Sequence, residues 1–179
     1  MGALRPFFIA CGRVKNMKYN TKQLAMCGIL AAVYCAVTVL SAPIAYGPVQ
    51  FRLSEALCIL ALFAPYTSLG LFVGCLLSNL FSTVTALDIV VGSAATLIAC
   101  LWTSRCKRIW LAWIPTVAVN AVLVGVMLAF VLTPEAFWQG FILMGAQVGA
   151  GEAAVMLVLG VPLAYLIRRR GWDEKLRDL

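Results

Sequence analysis

FILMGAQVGAGEAAVMLVLGVPLAYLIRRR, Phe141 to Arg170, holds one carboxylate, Glu152, in an apolar run that ends in three consecutive arginines. The run exceeds the roughly 20 helical residues that cross a hydrocarbon core about 30 Å thick. The arginines mark the end kept in the cytoplasm, because membrane proteins concentrate Lys and Arg on that side. Glu152 lies about 17 Å into the run at about 1.5 Å per residue, near the membrane midplane. A carboxylate there costs roughly 2.5 to 3.5 kcal/mol on insertion scales, so it is a functional candidate by default.

Working outward, the chain has 179 residues, 63% hydrophobic and 12% charged. This composition describes an all-α integral membrane protein of the cell membrane with about six transmembrane helices and no space for a second, soluble domain. The net charge of +7 is gathered in short clusters between spans, where it orients the protein rather than binding nucleic acid. With no His in the sequence, imidazole metal sites and His-activated nucleophiles are excluded. The cysteines, Cys11, Cys27, Cys35, Cys58, Cys75, Cys100 and Cys106, form no C-x-x-C pair and read as small packing residues. No metal or other cofactor is expected, and no G-x-x-x-x-G-K-[ST] segment offers ATP hydrolysis.

Residues 1–22 form a basic cytoplasmic lead-in with Arg5, Arg13, Lys15, Lys18 and Lys22. It lacks a continuous apolar core followed by a cleavage site, and Met17 is an alternative start. A transmembrane domain follows over 23–170. Its expected spans run from Leu24 to Ala42, Leu53 to Phe63, Leu69 to Val84, Asp88 to Trp102, Trp110 to Leu132 and Phe141 to Ile167. SAPIAYGPVQ, Ser41 to Gln50, is an outer loop that its two prolines keep from being helical throughout. Arg105 to Arg108 and Arg168 to Arg170 both fall on the inner side of this path, so both termini are cytoplasmic. The tail 171–179 reads as a solvated end. The second span is short, and an alternative folds it with the third into a re-entrant hairpin.

Arg52, Glu55, Asn79 and Asp88 share the outer half, and Asn120, Gln147 and Glu152 lie near mid-depth. Together they describe a polar pocket that opens outward. Simpler readings exist: Arg52 and Glu55 could pair at i, i+3, Asp88 could serve a helix dipole, and the amides could join helices. An excess of carboxylates and amides suits a ligand rich in N–H donors, such as a flat nitrogen heterocycle or an amine. Tyr46, Phe51, Phe81, Phe137 and Trp138 near the mouth could stack on a ring or form an interfacial belt. Small residues recur every four positions at Gly28, Ala32 and Ala36, at Gly70, Gly74 and Ser78, and at Gly145, Gly149 and Ala153, a pattern that lets helices approach closely. The first of these faces is the one suited to a partner protein.

VQFRLSEALCILALF, GLFVGCLLSNLFS and LDIVVGSAATLIAC occur in that order. The chain from about Lys18 to Arg170 resembles the queuosine precursor transporter (QueT-type) family, substrate-binding S components of energy-coupling factor (ECF) transporters. The resemblance implies an S-component-like bundle that captures queuine or a related deazaguanine at its outer face. It also implies partners: a transmembrane T protein, met through an A-x-x-x-A face at Ala32 and Ala36, and two cytoplasmic ATPases. On this reading Glu152 or Glu55 takes the ring edge, Asp88 the amine, and Asn79, Asn120 and Gln147 the remaining polar atoms. The rival is a stand-alone secondary transporter of a small nitrogen heterocycle or vitamin, although the two halves lack matching broken helices. A purely structural membrane subunit is the third reading.

Overall fold

The computed structural model describes residues 19–45, 51–81 and 87–179. The lead-in with Arg5, Arg13, Lys15 and Lys18, the alternative start Met17, Cys11 and Tyr46 lie outside the described residues.

Helix α1 is Thr21–Leu40, followed by a single helical turn at Ala42–Ala45. A 3-10 helix, Leu53–Leu62, takes the central position, and α2 is Thr67–Asn79. Helix α3 is Leu87–Thr103, α4 is Ile114–Leu132 and α5 is Phe137–Val155. Helix α5 continues through a π-helical stretch, Met156–Gly160, into α6, Val161–Arg169. A last short helix, α7, is Trp172–Arg177. No strand occurs among the described residues. Three of these helices, Thr21–Leu40, Ile109–Leu132 and Pro134–Arg169, are long and apolar enough to cross a membrane, and three further apolar helices are shorter.

The burial pattern is that of a multi-pass membrane protein. Leu40, Val90, Phe130, Ile142 and Val158 face outward, whereas Arg52, Glu55, Asp88 and Glu152 are buried. Lipid accepts the apolar surface, and the ionisable groups find their favourable environment inside.

Glycine contacts set helix direction. A Cβ on Gly70 would lie 2.5 Å from the Cys27 carbonyl, and one on Gly74 would lie 2.8 Å from that of Ala31. Both positions advance together, so α1 and α2 run parallel with their backbones nearly touching. Gly125 meets Gly145, and Ala121 meets Gly145 and Gly149, which makes α4 and α5 antiparallel. The central helix thus runs back between α1 and α2, and α5 runs back along α4.

The second expected span is the largest departure from simple α-helix. At about 2.0 Å per residue, its ten 3-10 residues extend about 20 Å, where an α-helix would reach about 15 Å. Side chains at i and i+3 eclipse in this geometry, so Arg52, Glu55, Cys58 and Ala61 form one row, and all four are buried. The π stretch also has a local cause. Pro162 has no N–H to donate and its ring would strike the carbonyl of Val158 four residues back, and the widened turn relieves both.

The tail 171–179 holds no buried residue, yet it does not lie free of the bundle. Gly171 adopts a left-handed conformation (φ 66°) that turns α7 back onto the bundle. Leu176 and Leu179 pack against Cys27, Ala64 and Tyr66, and the Tyr66 hydroxyl donates to the Leu176 carbonyl at 3.1 Å. Two leucines three residues apart are enough apolar surface to dock a one-and-a-half-turn helix whose other side stays exposed.

Candidate functional site

The four ionisable groups placed in the apolar spans are 3% (Arg52), 0% (Glu55), 0% (Asp88) and 1% (Glu152) exposed. They form two linked clusters around the central 3-10 helix.

In the first cluster, Arg52 precedes the 3-10 helix and reaches the start of α3. Its Nη2 donates to Asp88 Oδ1 at 3.0 Å and Oδ2 at 2.8 Å. Asn79 Nδ2 donates to the Asp88 backbone carbonyl at 2.9 Å. Gly92, one turn along α3, makes room for them: a Cβ there would sit 2.8 Å from Asn79 Nδ2, 2.9 Å from Asp88 Oδ1 and 3.2 Å from Arg52 Nη1. Asp88 is therefore an ion-pair partner and more than a helix-dipole residue, and Arg52 pairs with it instead of with Glu55.

Glu55 anchors the second cluster. Its Oε1 accepts from the Tyr34 hydroxyl at 2.5 Å and the Thr96 hydroxyl at 2.8 Å, and its Oε2 accepts from the Cys58 thiol at 3.0 Å. Three donors from α1, α3 and the central helix satisfy an acceptor-only group in a buried place. One turn outward, Thr38 and Ser54 hydroxyls meet at 2.6 Å, a second tie between α1 and the central helix. Cys75 on α2 joins the clusters: its sulfur lies 3.3 Å from Thr96 Oγ1, 3.5 Å from Asn79 Nδ2 and 3.9 Å from Arg52 Nη1.

Glu152 enters from α5 and lies within electrostatic range of Glu55 and Arg52. The α4–α5 register places Thr116 at its depth and Asn120 about one turn away, opposite Val148. Among the described residues, Glu152 Oε2, Asn120 Nδ2 and Asn79 Oδ1 are buried side-chain atoms without a hydrogen-bond partner. A buried polar atom left unpaired costs about 1 to 3 kcal/mol. One donor and two acceptors among these candidate residues thus go unmet within the chain. Gln147 is half-buried on α5.

Sequence reasoning found the charged residues but not Tyr34, Cys58, Cys75 and Thr96, which hold them. A lone hydroxyl or thiol in a span carries no pattern that separates a network member from a packing residue. The only available signal was the i, i+3 spacing of Glu55 and Cys58, and it becomes informative only in 3-10 geometry. Gly28, Ala32 and Ala36 are all exposed on one side of α1, and no atom lies within 4 Å of a Cβ built on Gly28. The other small-residue faces, at Gly70 and Gly74 and at Gly145 and Gly149, are used up inside the bundle.

A multi-pass helical membrane protein with a buried polar site is built like a transporter. Residues 24–169 match the family model described as QueT transporter, and the chain belongs to that family. The Queuosine precursor transporter QueT of Lactococcus lactis subsp. cremoris is 39% identical over 84 residues, which cover 45% of this chain and 48% of that protein. The match thus spans about half the length of that relative. No solved structure matches the chain.

Proposed function

We propose that this chain is the substrate-binding S component of an ECF transporter and takes up a queuosine precursor, queuine or a related deazaguanine, from outside the cell. The observation that carries this reading is the set of unpaired buried atoms: Asn120 Nδ2 as donor, and Glu152 Oε2 and Asn79 Oδ1 as acceptors. The edge of a guanine-like ring presents a carbonyl acceptor beside two N–H donors, which is the complement of this set. Glu152 takes the ring N–H groups, because Glu55 already accepts from three donors. Asn120 and Asn79 meet the remaining polar atoms, Gln147 sits at the margin, and Asp88, held by Arg52, borders the amine end.

The chain crosses the plasma membrane six times with both termini in the cytoplasm, and 171–179 is a cytoplasmic tail. The unused face at Gly28, Ala32 and Ala36 meets the transmembrane T protein, whose two ATPases supply the energy. Uptake of radiolabelled queuine by cells expressing this chain with and without the T protein and ATPases tests the reading. Accumulation only with the module, and binding by the purified chain alone, are expected. Accumulation without the module would identify a secondary transporter, and absence of binding would leave a structural subunit.

A further inference from the structure

At the end of the bundle that carries Arg168–Arg170, an open apolar cavity of about 380 Å³ lies between α1, the central helix, α6 and α7, within the range of about 300 to 1,000 Å³ of small-molecule sites. Met26, Leu57, Leu60 and Leu163 give it hydrocarbon walls, and α7 adds Trp172 and Lys175. Positions 172, 175, 176 and 179 of the tail all line it, the i, i+3, i+4, i+7 pattern of one helix face. Lys175 is its one charged wall residue among the described residues, and the tail's acids, Asp173, Glu174 and Asp178, do not line it. Arg168, Arg169 and Arg170 stand exposed immediately before the tail.

These features select the occupant. A polypeptide segment laid against such walls would leave backbone N–H and C=O groups without partners, whereas a hydrocarbon chain has none to satisfy. Lysine lays its methylene stem along apolar surface and carries its ammonium to the polar boundary, and Trp172, 47% exposed, is of the residue type that gathers at that boundary. We infer that the cavity seats an acyl chain of an anionic phospholipid, whose headgroup phosphate is held by Lys175 beside the three arginines. In the topology proposed above this is the cytoplasmic leaflet, where basic pockets between helices meet anionic headgroups. The site shares no residue with the polar clusters and stands independently of the substrate.

Trp172 reports on the occupant directly, because brominated acyl chains quench tryptophan on contact. The full chain is reconstituted in phosphatidylcholine vesicles in which a growing fraction is replaced by brominated phosphatidylglycerol or by brominated phosphatidylcholine with the same chains. The Trp172 signal is the difference between the unmodified chain and Trp172→Phe. Phosphatidylglycerol is expected to half-quench that signal at a fraction at least about fivefold lower than phosphatidylcholine, the ratio given by about 1 kcal/mol per basic residue near the headgroups. Lys175→Gln should lower the ratio about fivefold, and Lys175→Arg should keep it; Lys175 is exposed, so the fold should tolerate both. Equal quenching by the two lipids would leave a hydrocarbon seat without a headgroup site and overturn the inference. So would a Trp172 signal that neither lipid reaches, which would mean that a protein segment fills the cavity. A ratio unchanged in Lys175→Gln would equally overturn it, since Lys175 is the charge the cavity presents. No substrate takes part, so these outcomes leave the deazaguanine reading untouched, and the quenching reads the same for either orientation of the chain in the vesicle.

Discussion

Arg52 and Asp88 show how a membrane interior turns two costly residues into a structural joint. Each alone would be an unpaired charge out of reach of water, and at 2.8 Å each supplies the partner the other requires. Breaking a buried pair from one side typically costs about 3 to 5 kcal/mol, while replacing both members by apolar residues of similar volume is often neutral. Asp88→Leu, like Arg52→Met, should therefore lower the thermal stability of the detergent-purified chain sharply. The double variant Arg52→Met with Asp88→Leu should recover most of it, because it removes one positive and one negative charge and leaves the balance of the site unchanged. Thermal unfolding of the four chains in this cycle reads the coupling, and a double variant no more stable than the single one would contradict the pairing. Charged residues were legible in the sequence because apolar spans tolerate so few. Tyr34, Thr96 and Cys75 were not, since a hydroxyl or thiol costs a helix little whether or not it has a task.

At the scale of elements, two helix faces with the same sequence pattern have opposite fates. Gly70 and Gly74 hold α2 against the backbone of α1, whereas Gly28, Ala32 and Ala36 leave the other side of α1 bare. Sequence spacing reveals that a helix can be approached closely, but not by which neighbour, because that depends on directions fixed only when the bundle closes. The central helix makes the same point: LSEALCILAL reads equally well as α-helix, and its 3-10 form follows from its surroundings. Gly70→Ala forces a Cβ to 2.5 Å from a backbone carbonyl and should destabilise the chain by about 1 to 3 kcal/mol, as overpacking does. Ala32→Leu, on the exposed face, should change stability by no more than about 0.5 kcal/mol and leave ligand binding intact. If that face meets the T protein, the same substitution should abolish co-purification with the module and module-driven uptake. An Ala32→Leu chain that still co-purifies would place the contact elsewhere.

For the whole molecule, the decisive relation is which parts share an end. Asn20 Nδ2 donates to the Leu179 carbonyl at 3.3 Å, and Tyr66, in the connector between the central helix and α2, donates to Leu176. The connector of the two short helices therefore reaches the end of the bundle where Lys22, the Arg105–Arg108 cluster and Arg168–Arg170 gather, as the proposed pair of full crossings needs. Exposed Glu135 lies at the opposite end, so the distribution of free charge is polar along the bundle, as the positive-inside rule demands. Introduced cysteines can read this arrangement in intact cells with a membrane-impermeant maleimide, using the unmodified chain as the blank. Phe81→Cys and Ala136→Cys should label from outside, whereas Pro65→Cys, Lys107→Cys and Asp178→Cys should label only after permeabilisation. The Pro65 position discriminates most sharply: a re-entrant hairpin would leave its thiol in the membrane and unlabelled under both conditions, whereas labelling on opening the cells requires that both short helices cross.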